Sequence, residues 1–88
     1  MVISSDLLLN IMEQLASEEL KRFQWHLTQG VLKGYPPIPK SRLENGDRMD
    51  TVDKMMQTYN LCGAGTITMA ILMKMNQNSL AEVLQNNI

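Results

Sequence analysis

The chain breakers of this sequence are gathered into one stretch. Residues 30–39 read GVLKGYPPIP, and Pro36, Pro37 and Pro39 together with Gly30 and Gly34 exclude a regular element there. Each proline fixes φ, removes a backbone donor and pushes the residue before it toward extended geometry. On both sides of this loop the apolar residues recur at helical spacing, and no period-two pattern of useful length is present. The chain is therefore read as all-helical, with one long loop inside it.

The first helix is predicted over about Ser5–Gln14, with Leu7, Leu8, Ile11, Met12 and Leu15 on one side and Asp6 and Glu13 on the other. Ser17 is read as the N-cap of a second helix reaching about Gln29, with Glu18 and Glu19 in the first turn and Leu20, Phe23 and Leu27 buried. Ser41–Asn45 makes a short third helix, weakened toward Gly46. The fourth, about Asp47–Tyr59, turns Met49, Val52, Met55, Met56 and Tyr59 inward. GAGTITMAILMKM (63–75) is apolar almost all round except at Lys74, which places a fifth helix in the middle of a bundle. Ser79 or Asn78 caps a last helix that buries Leu80, Val83 and Leu84. Six short helices with brief connections form an antiparallel bundle, one domain over residues 1–88 with no internal repeat.

A chain of 88 residues with 44% apolar side chains can bury roughly 60% of its extended surface without a disulfide framework. The lone Cys62 suits a reducing compartment, so cytoplasm or nucleus is expected ahead of secretion. No apolar run has the length of a membrane helix, and no basic-then-apolar leader opens the sequence. Eight Lys plus Arg against nine Asp plus Glu leave a net charge of -1. That balance disfavours a domain whose affinity comes from neutralising phosphates.

Catalytic or metal chemistry finds little to work with. Asp47, Asp50 and Asp53, spaced by three, form a helical stripe whose carboxylates diverge, while a hard cation needs several oxygens converging on one point. Cys62 and His26 would have to meet, with an orienting group and an oxyanion hole, to make a nucleophilic site, and nothing in their positions brings them together; Cys62, at a helix end, is read as a small buried hydrophobe. The GAGT stretch follows a helix and lacks the last glycine of a dinucleotide loop. Six of the eight methionines fall between residues 49 and 75 at core spacing and read as gap-fillers. No enzyme activity, cofactor or metal ion is expected.

Trp25 is a sharper anomaly. With Leu20, Phe23 and Leu27 inward it projects roughly 160° from the core direction, beside Lys21, Arg22 and Gln29. Two readings stand side by side: a binding hot spot ringed by cations, or a ring covered by the proline loop. The remaining charges sort by element. Asp6, Glu13, Asp47, Asp50 and Asp53 are outward acids of the first and fourth helices, and Lys21, Arg22, Lys40 and Arg42 are outward bases of the second and third. An acidic and a basic face on one domain invite head-to-tail contact between copies, which does not close and builds open filaments.

Three blocks of this sequence resemble the pyrin domain, a subfamily of the death-domain superfold. LLLNIMEQLASEELKRFQWHL (7–27), IPKSRLENGDRMDTVDKM (38–55) and ILMKMNQNSLAEVL (71–84) follow its leucine-rich opening, its central IP-basic-L-E-D-R-D-V-D pattern and its closing pattern, in order and at matching distances. The resemblance covers nearly the whole chain. It implies a six-helix Greek-key bundle with a short third helix and no enzymatic activity. It also implies homotypic contact with other pyrin domains, of the same protein or of the speck-forming adaptor, nucleating the filaments that link inflammasome sensors to inflammatory caspases in the cytoplasm. In such contacts an acidic surface on helices one and four meets a basic surface on helices two and three. Here these are Asp6, Glu13, Asp47 and Asp50 or Asp53 against Lys21, Arg22, Lys40 and Arg42, with Trp25 and Leu9 supplying apolar contact. Asn10, Gln24 and His26 stand where family members often carry a charge, and Gly46 replaces a common alanine. A start at Met1 fits the N-terminal module of a sensor, a caspase or the adaptor. The alternatives are a stand-alone inhibitor that caps assembly, and a cation- or lipid-binding bundle resting on the aspartate stripe or on exposed Trp25 and Leu9.

Overall fold

Ser4 opens the first helix, its Oγ accepting the Leu7 N–H at 3.1 Å, a side-chain cap that satisfies one of the free donors of the first turn. The computed structural model describes residues 4–87, so Met1 and Ile88 lie outside it. From Ser4 the chain runs through α1 (Ser5–Glu13), α2 (Ser17–Leu27), α3 (Lys40–Leu43), α4 (Arg48–Lys74) and α5 (Asn78–Asn86).

At the start of α2 the cap position belongs to Ala16 and not to Ser17, which is the first helical residue. Glu19 fixes this register by accepting the Ala16 N–H at 2.8 Å, the reach-back half of a capping box. Ala16 has no oxygen with which to complete the other half. The second carboxylate oxygen of Glu19 takes a hydrogen bond from Gln77 Nε2, tying the start of α2 to the start of α5. The helix stops at Leu27, two residues before the predicted end, where the Thr28 hydroxyl donates to the Trp25 carbonyl at 2.6 Å.

The proline loop packs onto α4. Ile38 is fully buried and donates its N–H to the Leu27 carbonyl at 2.9 Å, while Pro36 O accepts the Tyr59 hydroxyl and the Tyr35 and Tyr59 rings lie 5.7 Å apart. Burial pushes the Tyr59 phenol above its ordinary range, which keeps it a donor.

Six helical arms result, because α4 is broken at Asn60 (φ 59°, ψ -177°). Its first arm is the predicted fourth helix and its second arm the predicted fifth. Asn60 Oδ1 accepts the Gly63 N–H at 2.9 Å and so restarts the helix after the break. Gly63 has to be glycine there, since a Cβ would lie 2.9 Å from the Cβ of Tyr59. Asn45 and Asn76, also at positive φ (64° and 61°), mark the α3–α4 and α4–α5 boundaries. At Asn76 the Gln77 N–H reaches Leu72 O (2.8 Å) and the Asn76 N–H reaches Met73 O (3.1 Å), the paired bonds of a Schellman turn. Gln77 thereby takes the cap position of α5, in place of the predicted Ser79 or Asn78.

The hub is α4, which packs against each of the other four helices, while α1 also meets α5. Phe23, Ile38, Met55, Ile71, Leu72 and Leu84 are among the fully buried side chains. Four inward expectations fail. Met49 is 61% exposed: it lies roughly a quarter-turn off the line through Val52, Met55 and Tyr59, and the inner position is taken by Arg48. Cys62 is exposed, not buried. It shares the outward side of the second arm with Met73, itself 59% exposed, so that arm is covered on one side rather than all round. Val83 is also exposed, with Leu80, Ala81 and Leu84 forming the inner face of α5.

Candidate protein-interaction faces

The acidic residues of α1 and the first arm of α4 are built on two packed helices. Asp6 sits in the first turn of α1 and Glu13 at its end, and Asp47, Asp50 and Asp53 follow one another along the start of α4; all five are exposed. Two of them also hold the backbone. Asp47 is the N-cap of α4, its Oδ1 accepting the Asp50 N–H at 2.8 Å, and Asp50 Oδ2 returns to the Asp47 N–H at 3.3 Å. Carboxylates are favoured at that end by the helix dipole. Among the described residues no group of three or more His, Cys, Asp or Glu side chains is placed to hold a metal ion.

A cation in the middle of this acidic run is taken out of it. Arg48 turns inward, Nε donating to Met12 O at 2.9 Å and Nη2 to Leu15 O at 2.6 Å. It supplies a donor to the Leu15 carbonyl and a second one to Met12 O, which already accepts the Leu15 N–H at 3.1 Å, and spends its charge there, so Asp47, Asp50 and Asp53 face solvent without it. Sequence reasoning missed this residue. Its signal was the spacing, four before Val52 and seven before Met55, which sets it on the buried side of the helix.

Lys21 and Arg22 on α2 and Lys40 and Arg42 on α3 are all exposed. Lys21 shares a side of α2 with Trp25, four residues on, and Arg22 shares one with His26. Arg42 reaches away from α2, Nη2 donating to Gln57 Oε1 of α4 at 3.1 Å, which sets its charge at the border between the two faces. The positive surface extends beyond the predicted set, because Lys74 at the end of α4 lies near His26. Burial, then Lys74 and Arg22, hold the His26 imidazole below its ordinary value of 6.5.

Trp25 is 57% exposed, with its ring edge-on to His26 at 5.0 Å. The proline loop does not cover the ring. Trp25, Lys21 and Gln24 of α2 face Lys40, Leu43 and Glu44 across an open groove of about 430 Å³. Gln24 braces its floor, Nε2 donating to Gly46 O at 3.1 Å and to Thr51 Oγ1 at 2.9 Å. Leu9 is only half-buried and packs against the core. A second, wider concavity of about 610 Å³ lies at the Asn60 break between Tyr35, Tyr59 and Cys62. Cys62 precedes Lys74, and hence the surroundings of His26, by twelve residues of helix, about 18 Å of rise; the two are not brought together.

These features define a helical bundle of the death-fold class, and the pyrin domain that it matches is a non-enzymatic protein-interaction fold. The family model described as PAAD/DAPIN/Pyrin domain matches residues 7–82, and the chain belongs to the pyrin-domain family. It is 45% identical over 84 residues to Caspase b of Danio rerio, covering 96% of this chain and 20% of that protein. It is 36% identical over 81 residues to the apoptosis-associated speck-like protein containing a CARD of Mus musculus, covering 91% and 42%. To NACHT, LRR and PYD domains-containing protein 6 of Mus musculus it is 34% identical over 83 residues, covering 94% and 9%. The chain thus spans less than half the length of each of these relatives. Among solved structures, the pyrin domain of human Pyrin superposes with a TM-score of 0.81 at 27% identity, covering 94% of this chain and 93% of that one. No helix among the described residues is long and apolar enough to cross a membrane.

Proposed function

We propose that this chain is a cytoplasmic recruitment module that binds pyrin domains, of its own kind or of a speck-forming adaptor, through a head-to-tail contact. The acidic surface of α1 and α4 on one copy meets the basic surface of α2 and α3 on the next. Repetition of that contact nucleates a filament in inflammasome signalling. The observation that carries this reading is the separation of exposed charge: five carboxylates on α1 and the first arm of α4, four cations on α2 and α3, with Arg48 withdrawn from between the acids. A contact joining two different surfaces of identical copies continues without closing. A capping inhibitor needs one competent face, and the presence of both supports assembly. The identity with Caspase b supports a place at the head of an inflammatory caspase ahead of a sensor or the adaptor.

The test is assembly of the chain at near-physiological salt, followed by light scattering and negative-stain microscopy. Lys21→Glu and Asp53→Lys each abolish filaments on this reading. Two variants that assemble like the parent overturn it.

A further inference from the structure

We infer that the apolar anchor of this contact is Met49 of one copy seated in the Trp25 groove of the next. The inference rests on the head-to-tail reading and names the side chains that give it affinity. Among the described residues the large apolar side chains left exposed are Trp25, Met49, Met73 and Val83. Two of these stand inside the charged poles. Met49 is 61% exposed, next to Asp50 in sequence and one helical turn before Asp53. Trp25 is 57% exposed, one turn from Lys21, and Lys40 faces it across the groove. An apolar projection beside two carboxylates and an apolar hollow bordered by the ammonium groups of Lys21 and Lys40, with the single carboxylate of Glu44 at its edge, are complementary in shape and in the balance of charge, and the occupant they specify is a second copy of this chain.

The groove suits a methionine. Its volume of about 430 Å³ exceeds one side chain, so it admits Met49 together with the turn of α4 that carries the carboxylates. Leu43 and the Trp25 face give it an apolar lining, and the amide of Gln24 is already committed to Gly46 O and Thr51 Oγ1. An entering apolar group therefore strands no donor of that amide. A thioether on a flexible stem adapts to an irregular hollow and makes favourable contact with an aromatic ring. A buried aromatic anchor at the centre of a charged rim is where interface energy concentrates.

The experiment separates the two faces. A Lys21→Ala/Lys40→Ala copy keeps its acidic pole and Met49, an Asp53→Lys copy keeps its basic pole and Trp25, and the neutralised pole of the first offers the reversed charge of the second no partner. Mixed, they form a one-to-one complex whose dissociation constant is read by titration calorimetry. Adding Met49→Ala to the first copy, or Trp25→Ala to the second, weakens it by about tenfold each. Both together weaken it by clearly less than the product, the mark of two groups in contact. Melting temperatures within a few degrees of the parent copies exclude misfolding, and Met49→Leu, which keeps the bulk, restores most of the affinity. Absence of the mixed complex overturns the head-to-tail reading and this pairing together. A mixed complex indifferent to both alanine variants, or one in which their effects simply multiply, leaves that reading standing and overturns the pairing of Met49 with Trp25.

Discussion

Arg48 Nη2 donates to the Leu15 carbonyl at 2.6 Å, so the first residue of α4 closes the end of α1. Its Nε holds Met12 O as well. Hydrogen bonds to a charged group contribute more than neutral ones, and the carbonyls left behind on deletion are half-buried. Arg48→Met is expected to destabilise the fold by about 2–3 kcal/mol. Arg48→Lys recovers only part of that, because one ammonium does not reproduce a planar fork. Urea unfolding midpoints check both, with an unchanged slope showing that the loss is in stability.

The break in α4 gives a second test. Asn60 holds φ 59° with ψ -177°, a region that is nearly glycine-only and costs of order 1–3 kcal/mol for other residues. The residue is compensated by capping Gly63. Asn60→Gly relieves the strain and, as a cap, loses only a few tenths of a kcal/mol, so it melts at or above the parent. Asn60→Ala keeps the strain and loses the cap, and is expected to fall below the parent by about 1 kcal/mol. Equal melting temperatures for the two variants would show that the backbone there is unstrained.

Much of this architecture is legible from spacing. Phe23 lies between Leu20 and Leu27 on a 3.6-residue period, Asp6 and Glu13 fall opposite Leu8 and Ile11, and the helices follow. What spacing misses is decided by contacts between distant parts of the chain. The proline loop leaves Trp25 bare because Tyr59, 23 residues further on, holds Pro36 O, and no local pattern encodes that choice. Met49 and Cys62 were misplaced because apolar identity was weighed above angle, and Arg48 for the converse reason. The double duty of Asp47 and Asp50 also escapes a reading by charge alone, since the same carboxylates that form the acidic pole close the capping box of α4.

His26 gives the fold a pH dependence of definite sign. Burial, Lys74 and Arg22 lower its pKa in the folded state, whereas the unfolded chain takes up the proton near the ordinary value of about 6.5. Through the window just below that value the unfolded state holds more protons, so stability rises with pH and is lost as pH falls through the unfolded and then the folded pKa. Melting temperatures measured from about pH 7 down to pH 5.5, above the range where ordinary carboxylates titrate, should decline for the parent. They should stay nearly level for His26→Gln. A parallel decline in the variant would place the titrating group elsewhere.

The acidic pole separates charge from capping. Asp50 returns its carboxylate to the Asp47 N–H, whereas Asp53 is exposed one turn further along and caps nothing. Asp50→Lys should therefore lower stability by about 1 kcal/mol as well as stopping assembly, and Asp53→Lys should stop assembly with the melting temperature unchanged. Salt supplies the independent check. Exposed charges are screened beyond a Debye length of about 10 Å at 0.1 M and about 3 Å at 1 M, so the rate of light-scattering growth in the parent falls steeply over that range. If Met49 and Trp25 join the copies as inferred, filaments already formed lose less, because an apolar contact is insensitive to screening. A rate independent of salt would mean that apolar surface alone drives encounter, and that the two charged poles serve solubility.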